Sequence, residues 1–251
     1  MTLPRKLWLM FMLPGLPLMA GGGLDAVPAA KPPAYKALRF DEDYSHLAKA
    51  DRQRAGDLFD TVNYIPLMTG NPAWYLSIGG EVRERFEGAA NPGFGLRGDY
   101  NTYWLQRLVF STDWHLGDRA RVYAAGISGL AQGGSLSAPP TQDDPVDLLF
   151  AFAEFTPWRG ADGESVVLRV GRFGMSLGAG RLVATRASPN IPLRFDGFEA
   201  LFNSRDWQAT LFLTKPVTER TNGFDNYDDH ITFWGAYVTR WFDATRKNGV
   251  D

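Results

Sequence analysis

Loop length alternates along the last two thirds of this chain, and this alternation restricts the fold more than any other feature. From Tyr75 onward the sequence predicts eight β-strands, rich in β-branched and aromatic residues and bounded by turn residues. The strands are expected at about 75–87, 100–114, 119–130, 146–156, 165–173, 195–203, 206–214 and 231–242. The connections are long (88–99), short (115–118), long (131–145), short (157–164), long (174–194), short (204–205) and long (215–230). Membrane-spanning β-barrels sort their loops in this way, with the short turns on one side, whereas a soluble sandwich has no reason to do so.

The tryptophans support the same arrangement. Five are expected at the short-turn ends of the strands and two near the long-loop ends: Trp74, Trp114, Trp158, Trp207 and Trp241, then Trp104 and Trp234. Amphipathic rings at both rims are typical of a membrane interface, whereas a soluble core holds them in mid-strand. None of the expected strands contains proline, and the prolines from Pro92 to Pro216 all lie between strands, where a missing N–H interrupts no strand pairing.

Most of the expected strands have one apolar and one charged face. In the first, Leu76, Ile78, Val82 and Phe86 alternate with Ser77, Glu81, Arg83, Arg85 and Glu87. In the second, Trp104, Leu108 and Phe110 lie opposite Arg107, Ser111 and Asp113, whereas the third, rich in Ala and Gly, shows no clear pattern. Lipid on one side and water on the other explains this alternation, and so does a half-buried soluble sheet.

Composition excludes several classes of function. The net charge is -2, so no overall basic field recruits nucleic acid. Cysteine is absent, which excludes disulfides, a thiol nucleophile and cysteine-based metal sites. The three histidines are isolated and do not have the spacing of metal ligands, so we expect neither a metal nor a cofactor.

The N-terminus has the pattern of a secretory signal. Arg5 and Lys6 precede an apolar run that extends to Ala20, and small residues follow as far as Ala29 and Ala30. Cleavage after Ala20 or after Ala29 fits, and Ala29 is preferred because Val27 and Ala29 place small residues at both recognition positions. An uncleaved anchor helix is the alternative, although this run is short for a membrane span. We therefore expect a signal peptide at 1–29 and export from the cytoplasm.

Short motifs in order along the chain resemble alginate-export outer-membrane proteins over about 38–242. They are RFDEDYS at 39–45, YIPL at 64–67, LSIGGEVRERFE at 76–87, LQR at 105–107, LRVGR at 168–172, GRLV at 180–183, PN at 189–190 and FDG at 195–197. The resemblance implies an antiparallel transmembrane β-barrel of about 18 strands with an arginine-lined pore of mixed charge that passes an anionic polysaccharide such as alginate. It also implies outer-membrane lipid as a partner, with periplasmic export components as further candidates.

This resemblance sets the expected division of the chain. After the signal peptide come a periplasmic segment at 30–73 and the barrel strands at 74–251. About eight strands are expected where the family has about 18, and Asn248–Asp251 lacks the terminal aromatic residue of a finished barrel. We therefore expect the N-terminal part of a larger barrel.

Arginines are the candidate pore-lining residues, because a guanidinium stays charged and binds a sugar carboxylate with two hydrogen bonds. Some share the charged face of the strands with acids, and others lie in or beside the loop at 174–194, which contains no acid and could fold inward to narrow a pore. The first group is Arg83, Arg85, Arg107 and Arg169 with Glu81 and Glu154, and the second is Arg172, Arg181, Arg186 and Arg194. The alternative for each arginine is an ordinary solvated side chain that pairs with Glu81, Glu154 or Glu199.

Three other functions have some support in the sequence. The pattern G-x-S-x-G around Ser176, with His230 further along, matches a serine hydrolase, but the residues at 178–181 that follow are poor helix material. Asp225, Asp228 and Asp229 are a weak calcium candidate, and a solvated loop explains them better. A secreted glycan-binding β-sandwich explains the strands and aromatic residues but not the loop alternation.

Overall fold

The computed structural model describes residues 36–49, 58–91, 94–96, 100–134, 138–186, 188–220, 223–242 and 249–250. All of them belong to one compact unit that covers 32–251. The expected signal peptide at 1–29 lies outside the described residues. No helix in the part of the chain that the structure describes is long and apolar enough to cross a membrane.

A single antiparallel sheet makes up almost all of the described structure. Its strands are β1 (Ile65–Pro66), β2 (Trp74–Ala90), β3 (Tyr100–Leu116), β4 (Ala120–Gln132), β5 (Asp144–Arg159), β6 (Ser165–Phe173), β7 (Phe195–Asn203), β8 (Trp207–Thr218), β9 (Asn226–Tyr227), β10 (Phe233–Trp241) and β11 (Gly249–Val250). Strand order follows chain order from β1 to β8 and on to β10 and β11, and β9 pairs with β8 beside this path. Within the described residues this path does not close on itself. The predicted all-β antiparallel fold is confirmed.

All eight expected strands are present within a few residues of their expected bounds, and the alternation of long and short connections holds. The expectation that strands exclude proline was wrong, because β5 contains Pro145 and Pro157 and β8 contains Pro216. Pro145 and Pro157 lie where β5 shifts register against β4 and β6, so pairing is already interrupted there. Pro216 pairs with Phe195, the first residue of β7.

The two faces of the sheet differ in burial. The inner face, which is buried, carries Tyr75, Arg107, Tyr123, Phe152 and Arg169, with Glu199 and Phe212 on the following strands. The outer face exposes large apolar side chains on every long strand, among them Val82, Phe86, Leu108, Phe110, Val122, Phe155, Val170, Phe198, Leu211, Leu213, Trp234 and Val238.

Residues 36–49 cross the inner face, and we call them the strap. It contains two 3₁₀ turns, Arg39–Asp41 and Ser45–Ala48, and a single α-helical turn, α1 (Asp60–Asn63), follows before β1. Phe40 is 2% exposed and makes edge-to-face ring contacts with Tyr123, Phe150 and Phe152. These three rings belong to the inner face of β4 and β5, so the strap closes the main hydrophobic core.

The long connection between β6 and β7, residues 174–194, also packs against the inner face, in agreement with the expectation that it folds inward. We call it the inner loop. Met175, Asn190 and Ile191 are at most 2% exposed. A Cβ on Gly129 of β4 would lie 2.4 Å from Cδ1 of Ile191, so the absence of a side chain there permits the close approach.

Candidate functional site

Five charged side chains form a ladder across the inner face from β3 to β7. Nη2 of Arg121 lies 2.7 Å from Oδ2 of Asp113, and its Nη1 lies 3.2 Å from Oε2 of Glu154. Nη2 of Arg169 lies 2.7 Å from Oε1 of Glu154, and its Nη1 lies 2.8 Å from Oε2 of Glu199. Strand register alone aligns four of these side chains. Arg121 is the direct cross-strand partner of Glu154, Glu154 is that of Arg169, and Arg169 is that of Glu199.

Both arginines of this ladder are fully paired, and the ladder is covered. Each of its five side chains is at most 15% exposed. The guanidinium of Arg169 lies 4.9 Å from the ring centre of Phe40 and 4.8 Å from that of Phe152. Arg121 and Arg169 each bind two carboxylates already. The ladder is therefore suited to fixing neighbouring strands together rather than to binding a further anion.

Three arginines on β2 and β3 donate hydrogen bonds to the inner loop. Nη2 of Arg83 donates to the carbonyl of Pro189 and to Oδ1 of Asn190, each at 3.2 Å. Nη2 of Arg85 donates to the carbonyl of Ser188, and Nη1 of Arg107 donates to that of Asn190. Glu81 accepts from Arg107 at 2.8 Å, and Glu87 pairs with Arg85 at 2.7 Å. Each guanidinium therefore binds at least one neutral oxygen here, and a carboxylate is the stronger acceptor.

Asn190 fixes the inner loop at this point. Its side chain is fully buried, and Nδ2 lies within hydrogen-bonding distance of three carbonyl oxygens, those of Gln106, Leu130 and Gln142. Its own N–H donates to Oε1 of Gln142 at 2.9 Å. One side chain thus links β3, β4 and the connection before β5 to the inner loop.

A third group of charges surrounds Arg194 at the long-loop end. Its side chain is fully buried and contacts Asp147 at 2.7 Å, Asp225 and, at 4.0 Å, Asp144. Burial lowers the pKa of the Arg194 guanidinium from its usual value, and the nearby carboxylates oppose that effect. The three carboxylates are close enough together to suit a metal ion, but the guanidinium lies among them and supplies the positive charge itself.

The remaining candidate residues are dispersed. Arg172 has the opposite parity to Arg169 and pairs with Asp196, its cross-strand partner on β7, at 2.7 Å. Arg181 and Arg186 are exposed on the inner loop. Of the candidate acids, Glu81 and Glu154 are engaged with Arg107 and with the ladder.

Neither the serine motif nor the calcium motif forms a site in the described residues. Ser176 lies exposed in the inner loop, where the described residues after it form turns rather than the helix that a nucleophile motif requires. Asp228 accepts from the N–H of His230, and Asp229 pairs with Lys215. Asp225 is 5% exposed, so the expectation that it belongs to a solvated loop was wrong: it is held by Arg194.

Four residues that organise this face are not among the candidates that the sequence suggested. Asp113 and Arg121 complete the ladder, Asn190 anchors the inner loop and Asp147 holds Arg194. Asp113 lies on the same face of its strand as Arg107, and Asn190 belongs to one of the motifs that carry the family resemblance. Both residues could therefore have been identified from the sequence. Arg121 lies on the strand whose small residues obscured its pattern.

Comparison with known proteins identifies one family. The family model described as alginate export matches residues 74–245, which is more than half of the chain and includes every strand from β2 to β10. No curated protein and no solved structure matches the chain. The match begins at the first residue of β2, so it covers the sheet with its charged inner face and not the strap.

Proposed function

This chain belongs to the alginate export family, a family of outer-membrane proteins, and we propose that it forms the wall of a channel for an anionic polysaccharide such as alginate. One observation carries the proposal: a single antiparallel sheet separates an exposed apolar face from a buried face that bears arginines. Alginate export is a transport activity, and the family is not one of enzymes.

The outer face supports contact with lipid. Val82 is 77% exposed and Leu211 is 54% exposed, and both lie near the middle of their strands. Large exposed apolar areas are rare on soluble monomers, whereas an outward apolar band is required of a barrel in a bilayer. This exposure also counts against a soluble glycan-binding sandwich, in which such a face packs on a second sheet.

The inner face supports recognition of anions. Arg83 and Arg85 hold the backbone carbonyls of the inner loop, and a sugar carboxylate would compete for the same donors with greater strength. Arg169 and Arg121 already bind two carboxylates each. In our proposal β2 and β3 therefore contact the solute, and the ladder maintains the wall.

The proposed channel requires more strands than the described residues provide. Across the described residues, β2 pairs on one side with β3 and over only two positions with β1, and β10 pairs similarly with β8 and β11. Unpaired N–H and C=O groups are very unfavourable in lipid, so these edges need partners. We propose that further strands, from the same protein or from other chains, complete the ring.

Ion selectivity in planar bilayers tests the proposal on the completed barrel. We expect an anion-selective reversal potential under a salt gradient, and the double substitution Arg83→Ala/Arg107→Ala should shift it toward zero because two fixed positive charges are lost. The matched control is Arg205→Ala/Arg240→Ala, which removes the same charge from exposed positions. If both double variants keep the anion preference of the unmodified protein, then these arginines do not line the path.

A further inference from the structure

The strap lies across the face that the proposed solute path would use. Nη2 of Arg39 donates to the carbonyl of Gly80 on β2 at 3.0 Å, and Nη2 of Arg121 on β4 donates to the carbonyl of Phe40. The ring of Phe40 covers the guanidinium of Arg169 on β6. The strap thus spans the inner face from β2 to β6.

Side chains rather than backbone pairing hold the strap in place. Its described backbone–backbone hydrogen bonds are local, such as Asp41 N–H to Leu38 O and Leu47 N–H to Tyr44 O. Among the described residues, none joins the backbone of 36–49 to the backbone of a strand. Neighbouring strands of the sheet, in contrast, are paired along most of their length. The strap can therefore leave without breaking any pairing within the sheet.

Removal of the strap would open space. It contributes lining residues to two cavities of about 470 Å³ each, and Glu42 lines both. One cavity is bounded by Tyr75, His115 and Arg121, and the other by Ser77, Val109 and Tyr123. Strap residues therefore line both cavities, so release of the strap would enlarge each of them.

We propose that residues 36–49 are a displaceable strap that narrows the channel, with Phe40 as the anchor that holds it closed. This inference rests on the proposed function, because a strap regulates conductance only if the inner face lines a path. In the closed state Phe40 is inserted among Tyr123, Phe150 and Phe152, and in the open state it leaves them, which enlarges both cavities.

A reversible cross-link tests the strap in the completed barrel. Cysteine is absent from the sequence, so introduced cysteines are unique. A Cβ on Gly174 would lie 2.8 Å from Cδ2 of Leu38, and Leu38→Cys removes that atom, which makes Leu38→Cys/Gly174→Cys a suitable pair. We expect lower single-channel conductance when a cleavable thiol cross-linker joins the pair, recovery after reduction, and higher conductance in Phe40→Ala. The single variants Leu38→Cys and Gly174→Cys, treated identically, are the controls.

Two outcomes separate this inference from the proposed function. Phe40→Cys should react with a water-soluble maleimide in the folded protein, since release of the strap exposes a side chain that is 2% exposed when closed. Equal conductance of the cross-linked, reduced and Phe40→Ala proteins would show that the strap is a fixed part of the wall. Absence of conductance in every form, with Phe40→Cys still labelled, would instead overturn the proposed channel.

Discussion

Arg169 on β6 and Glu199 on β7 are direct cross-strand partners, and Nη1 of the arginine lies 2.8 Å from Oε2 of the glutamate with both side chains buried. Arg169 also contacts Glu154, which in turn pairs with Arg121, so two buried guanidinium groups serve these two carboxylates. Such a pair adds little net stability over apolar side chains, but removal of one partner leaves an uncompensated charge.

The ladder therefore predicts a large loss of stability when Arg169 is removed. Arg169→Met should lower the free energy of unfolding by about 3–5 kcal/mol, because the buried Glu199 loses its arginine partner and Glu154 keeps only Arg121. Urea titration of the protein in lipid vesicles measures the change. The control Arg205→Met, at an exposed turn position, should change it by about 0.5 kcal/mol or less. An equal effect of both substitutions would mean that the ladder is hydrated.

The outer face predicts a strong penalty for charge in mid-strand. Leu211→Arg should lower stability in vesicles by about 2–4 kcal/mol, the cost of arginine near the bilayer midplane. At Thr218, the exposed last residue of β8, arginine should cost about 0–1 kcal/mol. In a water-soluble sheet both exposed positions would tolerate arginine, so equal stability of the two variants in vesicles contradicts lipid contact.

The buried hydrogen bonds of Asn190 predict that its replacement makes the inner loop more sensitive to protease. Asn190→Ala removes a buried side chain that faces three carbonyls, and we expect a loss of about 1–3 kcal/mol because those acceptors stay buried. Trypsin should then cleave faster after the exposed Arg181 and Arg186. Ser188→Ala is the matched control, since Arg85 binds the backbone carbonyl of this exposed residue and not its side chain. Unchanged cleavage in Asn190→Ala would mean that the loop is held elsewhere.

The contact between Gly129 and Ile191 predicts a compensating pair. Gly129→Ala places a methyl group 2.4 Å from Cδ1 of Ile191 and should cost about 1–3 kcal/mol through overpacking. Ile191→Ala removes the clashing atom, so the double variant should be more stable than the sum of the two single effects predicts. Strict additivity in a double-mutant cycle would show that the two side chains do not meet.

The carboxylates around Arg194 predict that its replacement lowers stability in a pH-dependent way. Arg194→Met leaves Asp144, Asp147 and Asp225 buried near one another, and their mutual repulsion favours protonation in the folded state. The folded variant then binds more protons than the unfolded chain, so its stability falls as pH rises. Relative to the unmodified protein, we expect a greater loss at pH 8 than at pH 4 in thermal unfolding. A loss that is independent of pH would indicate that these carboxylates do not interact.

The sequence predicted local structure well and long-range contacts poorly. Alternation in β2 and β8 identified which residues share a face, because the period of a strand is a property of the strand itself. The ladder depends on the register between strands, which places Arg121 beside Glu154 and Arg169 beside Glu199. No single strand encodes that match. The insertion of Phe40 and Asn190 into the inner face depends likewise on elements distant in sequence.

Each strand of the sheet from β1 to β7 pairs only with strands adjacent in the chain, and this order has an evolutionary consequence. A sheet of this kind can gain or lose one hairpin between neighbours without a new connection elsewhere. Since the diameter of a closed barrel increases with the number of its strands, duplication or loss of a hairpin changes the pore diameter in regular steps. Descendants of such a gene can therefore adapt to solutes of different width while the hairpins they retain keep their original partners.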